Sequence, residues 1–312
     1  MEIRTARAKA CAAVLGGLLL TVSFVLFPAP ARAKTTVGVI MTGDTPYYQQ
    51  IHRAFMVAIS GKADVRVVLQ EPAPEPMAWA NAARKLVSIG SDILVVYGAP
   101  ATLTAMKQTS SLPIVFAGVY DPRAMNITGM NAAGISSQVD MAFVLRLLKE
   151  IKDFKKLGII FNKTEKDTIL QVKEAKALEG TLGYRLVLLD AGRKGYTRKM
   201  AGLDAVLLTT SCRAMCNVDE IVNAARTAGV PMASTIGGGE KIGIILTVSA
   251  DATEQGRAAA EMVLQVLRGA NPASIRVREP KKIEVTVNKS AARAAGVTVP
   301  APVLSRATRV IE

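Results

Sequence analysis

The chain has 312 residues, half of them apolar but few aromatic, and a formal charge of +14. That length holds two domains of ordinary size, with a core built from Val, Ile, Leu, Ala and Met rather than from rings. The basic residues are scattered and not interleaved with aromatics, so they read as a solvated surface and no nucleic-acid partner is expected.

In chain order, Arg4, Arg7 and Lys9 precede an apolar run from Ala12 to Phe27, and the triplet Ala31-Arg32-Ala33 leads into Lys34. This is the order of a secretory signal with an A-x-A cleavage site. Export to the periplasm and cleavage after Ala33 are expected. Retention as an anchor is the alternative, although the run is shorter than the roughly 20 residues a spanning helix needs. The leader holds four Lys or Arg and one Glu, so its removal leaves a charge of +11. Cys11 precedes the apolar run, where a lipid-anchoring cysteine would follow it.

Beyond the leader, short β-branched runs alternate with helical patterns. Strands are predicted at Thr36–Met41, Val65–Gln70, Ile93–Tyr97 and Ile114–Ala117. A second series follows at Leu157–Phe161, Arg185–Leu189, Ala205–Leu208, Pro231–Ser234 and Ile242–Val248. Helices are predicted at Tyr47–Ser60, Pro76–Ile89, Asp140–Ile151, Thr168–Leu182, Val218–Ala228 and Asp251–Leu267. Strands alternating with helices imply βαβ units and parallel sheets, and the nearly all-apolar strands imply helices on both faces. Asp140 is a helix cap, Asp251 with Glu254 has capping-box spacing, and Gly183 and Gly229 mark helix ends.

The two series share one order, so each can build its own sheet. The fold class is α/β, with two Rossmann-like lobes joined by hinge crossovers. The expected division is 34–138 with 251–278 in one lobe and 139–250 with 279–312 in the other. Ligands of an open parallel sheet bind beyond the carboxyl ends of its strands, so two facing sheets aim both sets of loops into one cleft. On the first lobe this selects Thr42, Asp44, Thr45 and Tyr47, then Tyr97, Gly98 and Ala99, then Tyr120 and Asp121. On the second it selects Asn162, Thr210, Ser211, Ser234 and Thr235. Hydroxyls, glycines, tyrosines and a carboxylate suit a small polar solute, although Thr or Ser at a strand end also caps helices and Asp121 before Pro122 also forms turns.

Catalytic patterns are thin. There is no G-x-S-x-G elbow, no phosphate loop and no G-x-G-x-x-G after the first strand. His52 is the one histidine and reads as structural. No catalytic residue, metal or cofactor is expected. Cys212 and Cys216 are a candidate disulfide in an oxidising compartment, although i, i+4 spacing on a helix lies near the upper limit of the allowed separation.

Several segments carry a family resemblance. They are Leu112-Pro113-Ile114-Val115-Phe116 running to Asp121-Pro122, Asn126-Ile127-Thr128-Gly129-Met130, Gly256-Arg257-Ala258 with Leu267-Arg268-Gly269, and Ala291–Pro300. In this order the chain resembles the solute-binding proteins of ABC importers, in the branch of the tryptophan- and tyrosine-binding lipoproteins. The resemblance implies a type I periplasmic binding fold with its ligand in the cleft and delivery of that ligand to an ABC permease in the inner membrane; a small polar ligand, with an amino acid as one candidate, and a monomeric protein are expected. The cysteines of Thr210–Cys216 depart from that pattern. A ligand-presenting sensor for a membrane receptor and a secreted α/β enzyme are the alternatives.

Overall fold

The computed structural model describes residues 34–312 apart from Met130, so the leader with its expected cleavage after Ala33, and the last residue of the Asn126–Met130 motif, lie outside the described residues. The first part of the chain runs β1 (Thr35–Met41), α1 (Pro46–Ile59), β2 (Val65–Gln70), α2 (Pro76–Ser88), β3 (Ile93–Tyr97), α3 (Ala99–Gln108), β4 (Ile114–Val119) and β5 (Ala132–Ser136). These strands form one parallel sheet in the order β2-β1-β3-β4-β5. The buried faces of β1, β3 and β4 explain the absence of alternation in their sequences: Val37, Val95 and Val115 pack in one core, while Ile40, Val96 and Phe116 pack in another on the opposite side.

The second part runs α4 (Met141–Ile151), β6 (Lys156–Phe161), α5 (Lys166–Ala177), α6 (Glu179–Leu182), β7 (Arg185–Asp190), β8 (Ala205–Leu208), α7 (Cys212–Met215), α8 (Val218–Thr227), β9 (Met232–Ser234) and β10 (Leu246–Ala250). It is completed by α9 (Ala252–Leu267), β11 (Ile283–Asn288), α10 (Lys289–Ala294), α11 (Ala301–Arg306) and β12 (Arg309–Ile311). The second sheet has the order β12-β11-β10-β9-β8-β6-β7. Its pairings are parallel except β10 with β11, so the tail contributes the one antiparallel turn-back that a purely parallel expectation omits.

Two elements differ from their predicted form. The helix expected over Thr168–Leu182 divides at Leu178, because the Tyr184 hydroxyl donates to the Ala175 carbonyl and Leu178 N also turns back to it. The strand expected from Ile242 begins only at Leu246. Gly239 accepts from the N–H groups of Ile242 and Ile244, forming a tight turn at Glu240–Ile242, and Gly243 follows at φ 129°. The N–H groups of Ile242 and Ile244 are used by that turn, and the first bond to the neighbouring strand comes from Ile245 N to the Met232 carbonyl.

Three passages link the sheets, and side chains tie them together. Gln255 on α9 accepts from Gly118 N and donates to the Ser136 carbonyl, each at 2.8 Å. Asp251 caps α9 through Glu254 N. The Glu254 carboxylate does not complete a capping box; it accepts from the N–H groups of Lys281 and Lys282 at the third passage. The helix α9 itself packs on α1, where Gly256 lets the backbones meet: a Cβ there would stand 2.2 Å from the Ile51 carbonyl oxygen. Residues Lys34–Glu312 form one compact unit, and among the described residues no helix is long and apolar enough to cross a membrane.

Candidate functional site

The carboxyl ends of both sets of strands meet between the sheets. From the first sheet, the β1–α1 loop brings Thr42 to Tyr48, and the β3–α3 turn brings Gly98 and Ala99. Thr42 is fully buried; its hydroxyl donates to the Tyr97 carbonyl at 2.7 Å and accepts from Ala101 N. Its own carbonyl accepts from Trp79 Nε1 at 2.7 Å, so the single tryptophan braces this loop from behind. Thr45 caps α1 through Tyr48 N, and Asp44 is exposed, accepting from Gln49. Gly98 opens α3 at φ 92°; a Cβ there would lie 2.5 Å from Thr42 Oγ1 and 2.6 Å from the Tyr48 hydroxyl. Only glycine serves at that point, on conformation and on space together.

The tyrosines divide by direction. Tyr47 donates to the Ala250 carbonyl at 3.0 Å and so ties α1 to the end of β10. Tyr97 points into the core beneath α1, its hydroxyl 3.2 Å from His52 Nδ1. Burial lowers the pKa of that histidine, which fits a packing role. Tyr120 lies in the core of the second sheet and donates from its hydroxyl to Glu174 and towards the Val139 carbonyl. Asp121 accepts from Ala124 N and forms the turn before Asn126, the one non-glycine at positive φ among the described residues. Tyr97, Tyr120 and Asp121, selected from strand-end position, thus have their polar groups engaged in the fold. The residue that spans the ends of β3 and β4 is Tyr48, with its ring against Gly118 and its hydroxyl at Gly98. Sequence reasoning passed over it in favour of its neighbour.

The second sheet contributes a buried polar network. Asn162 donates to Glu165 at 3.0 Å and holds Thr164 with its amide oxygen. Glu165 also accepts from Cys212 N at 2.8 Å and from Ser211 Oγ and Arg213 N, each at 3.2 Å. Thr210 donates to Asp167 Oδ2 at 2.7 Å and accepts from Gln171 at 2.6 Å, while Gln171 accepts from Thr235 at 2.6 Å. Ser234 turns its hydroxyl to the Ile236 carbonyl. Of the predicted residues here, Asn162 and Ser211 meet at Glu165, Thr210 and Thr235 meet at Gln171, and Ser234 serves the local turn.

Glu165, Asp167 and Gln171 were not predicted. Glu165 immediately precedes α5, and Asp167 and Gln171 lie in its first two turns; sequence reasoning began this helix at Thr168, and acidic residues at a helix start usually only complement the dipole. Burial raises both carboxyl pKa values, and Asp167 raises that of Glu165 further. Backbone N–H groups and Ser211 oppose this in Glu165. Asp167 Oδ1 is buried with no hydrogen-bond partner among the described residues.

The lobes touch around this network. A Cβ on Gly43 would lie 2.2 Å from Cys212 Sγ, and one on Gly238 would lie 2.9 Å from Pro46. Burial raises the Tyr48 phenol, and Cys212, Asp167 and Glu165 across the interface raise it further. Cys212 and Cys216 stand as two free thiols, the first buried and the second exposed; the disulfide expected from their spacing is not what the structure holds. Cys216 N donates to the Cys212 carbonyl at 2.9 Å in a regular helical turn, which leaves the pair near the upper limit of a disulfide span. Among the described residues, no cluster of three or more His, Cys, Asp or Glu side chains is placed to hold a metal ion.

Comparison with known proteins agrees with this architecture. The model of the family described as ABC transporter substrate binding protein matches residues 61–311. A solved domain from Streptococcus pneumoniae, described as an ABC domain in complex with L-Trp, is similar at TM-score 0.85 and 22% identity, over 89% of this chain and 100% of that one. A conserved domain protein from Vibrio cholerae is similar at 0.84 and 22%, over 89% and 99%. A solute-binding protein from Bacillus halodurans with bound myo-inositol is similar at 0.57 and 14%, over 84% and 98%. No curated protein sequence matches the chain.

Proposed function

The chain belongs to the ABC transporter substrate-binding protein family, and from that premise we propose that it is a receptor that closes its two lobes on a small polar solute and delivers it to an ABC permease. One observation carries the proposal: buried hydroxyls and carboxylates from the strand ends of two sheets converge where the lobes meet. Ligands of open parallel sheets bind at such strand ends. Most of these groups pair within the fold, and Asp167 Oδ1 is the buried atom of the cluster left without a partner among the described residues, a cost that a bound ligand would offset.

In this reading 34–138 with 251–278 forms one lobe, and 139–250 with 279–312 forms the other. Thr42, Gly98, Ala99 and Tyr48 shape the first wall, and Thr210, Thr235, Gln171 and Asp167 form the second. Ligand contacts to both walls stabilise the closed arrangement by differential affinity. The protein is exported, is released from its leader after Ala33, and acts as a monomer with no catalytic step. An amino acid is the first solute class to try, given the L-Trp in the Streptococcus pneumoniae structure.

Thermal denaturation with amino acids, polyols, sugars and nucleosides tests the proposal. A true ligand at 100 times its Kd stabilises by about 2.7 kcal/mol, a readily measured rise in Tm. No shift with any class, and no small molecule retained in native mass spectra of fresh protein, would overturn it.

A further inference from the structure

The basic residues look scattered along the chain, but the fold gathers a set of them on one rim. Strands β6 and β7 run side by side to their carboxyl ends, with Phe161 opposite Asp190. Lys163 and Lys166 follow the first of these ends, and Arg193, Lys194, Arg198 and Lys199 follow the second; all are exposed. The two loops adjoin, since a Cβ on Gly192 would lie 3.7 Å from Asn162 Oδ1. Strand β7 is the outer strand of its sheet, so the rim lies at the edge of the second sheet.

The carboxylates of the same strand ends turn inward. Glu165 and Asp167 are buried, and Asp190 is 8% exposed, its Oδ1 accepting from Gly192 N at 2.9 Å. Asp190 Oδ2 lies 3.6 Å from Arg193 Nε, and Glu220 stands beside Tyr196. Among the described residues, the other cations of the rim make no ion pair. The loop after β7 is held in place. Ala191 N donates to the Phe161 carbonyl at 2.8 Å, Arg193 N to the Asp190 carbonyl at 2.9 Å, and Met200 is fully buried. Lys166 opens α5, where a cation opposes the helix dipole, so helix stability does not account for it.

We propose that this rim holds the receptor to a membrane surface bearing anionic phospholipid headgroups. The proposal rests on the solute-delivery reading, in which the protein works beside a permease. Lys and Arg near such a surface are attracted to it within a Debye length, and their long stems let the charged heads reach separate phosphates. Cations spread along an exposed edge suit a plane of phosphates better than one enclosed anion. A single-stranded nucleic acid is a poorer match, because the loop after β7 has one aromatic residue, Tyr196, and that ring is partly buried.

The test is co-sedimentation of the protein without its leader, residues 34–312, which form one compact unit. The vesicles are phosphatidylcholine alone, or phosphatidylcholine and phosphatidylglycerol in equal parts. The expected result is binding to the mixed vesicles and none to phosphatidylcholine, weakening as salt rises. With Arg193→Gln, Lys194→Gln, Arg198→Gln and Lys199→Gln combined, affinity should fall at least about 50-fold, since each cation near an anionic surface is worth about fivefold. A control variant combines Lys152→Gln, Lys155→Gln, Lys156→Gln and Arg185→Gln, exposed residues around the amino ends of the same strands. It removes the same charge and should stay within about fivefold of wild type. An equal loss in the control overturns the proposal, because net charge alone would then act. Absence of binding to the mixed vesicles also overturns it, as does binding to polyglutamate without binding to vesicles, the mark of an acidic protein partner. Displacement by inorganic phosphate beyond that by chloride at equal ionic strength overturns it too, in favour of a free-anion site. Should the rim variant fail to melt cooperatively, Arg193→Gln with Lys194→Gln takes its place, with an expected loss of at least about tenfold. The solute screen is read separately: a Tm shift with no vesicle binding overturns this proposal alone, and vesicle binding with no Tm shift by any solute class overturns the receptor reading.

Discussion

The two walls of the cleft are built on the same strand-end geometry but from different chemistry. The first wall consists of a backbone turn, a buried hydroxyl and a ring: Thr42, Gly98 and Tyr48, with Trp79 bracing from behind. Its hydroxyls Thr42 and Thr45 are used within the fold. The second wall holds two buried carboxylates in adjoining side-chain groups, one joining Asn162 and Ser211 to Glu165 and the other joining Asp167, Thr210, Gln171 and Thr235. One wall therefore defines shape and the other charge. In the receptor proposed above, that division would let one wall select size while the other selects sign.

The strongest challenge to this contrast is Glu165→Ala. Its carboxylate accepts from two backbone N–H groups and two side chains, so truncation leaves several buried donors unpaired. With about 1–3 kcal/mol for each buried donor left unsatisfied, we expect a loss of at least about 3 kcal/mol in chemical denaturation; a loss below about 1 kcal/mol would show that the network is not what holds the second wall. On the first wall, Gly98→Ala introduces a Cβ 2.5 Å from Thr42 Oγ1 at φ 92°. The expected cost is about 2–3 kcal/mol, with ligand affinity reduced because Tyr48 must move.

Acidity sharpens the comparison further. The folded-state pKa values of Asp167 and Glu165 are raised above their unfolded values. The folded protein then binds more protons than the unfolded chain, so this contribution is fully present below about pH 4 and is lost as pH rises through the raised values. Ligand-free protein should lose stability across that window, and Asp167→Asn should flatten the slope while leaving the first wall untouched. Melting curves at constant ionic strength provide the check; an unchanged slope in Asp167→Asn would place the proton elsewhere.

The smallest effect concerns the thiols at the seam. Cys216 is exposed and its pKa is lowered by a hydrogen bond from Cys212, which is itself buried with a raised pKa. A thiol-specific reagent near neutral pH should modify one cysteine quickly, and Cys216→Ser should remove that phase with a stability change within about 0.5 kcal/mol. Two protected thiols that react only after reduction would instead reveal a disulfide.

Helix and strand positions were largely legible. Val65–Gln70, Ile93–Tyr97 and Ala205–Leu208 coincide with their predicted ranges, because an apolar β-branched run flanked by turn residues has few other solutions. The run from Ile242 misled for a specific reason: Gly239 and Gly243 close a turn that local hydrophobicity does not report. Strand-end position picks out Thr42, Gly98 and Thr210, which lie where the two sheets face each other, but it does not distinguish Tyr47 from Tyr48 or Asp121, which closes its own turn, from Asp167, which has an oxygen without a partner among the described residues.

The sequence by itself determined the alternation of strands and helices, the two series, and the ends at which the polar residues gather. These follow from periodicity and capping, which act over a few residues. The tertiary structure alone decided which polar groups are already satisfied. Asp167 stands without a donor on one oxygen because Thr210, 43 residues away, reaches only the other. Such pairing depends on how distant loops converge, and only the packed fold brings them within hydrogen-bonding reach.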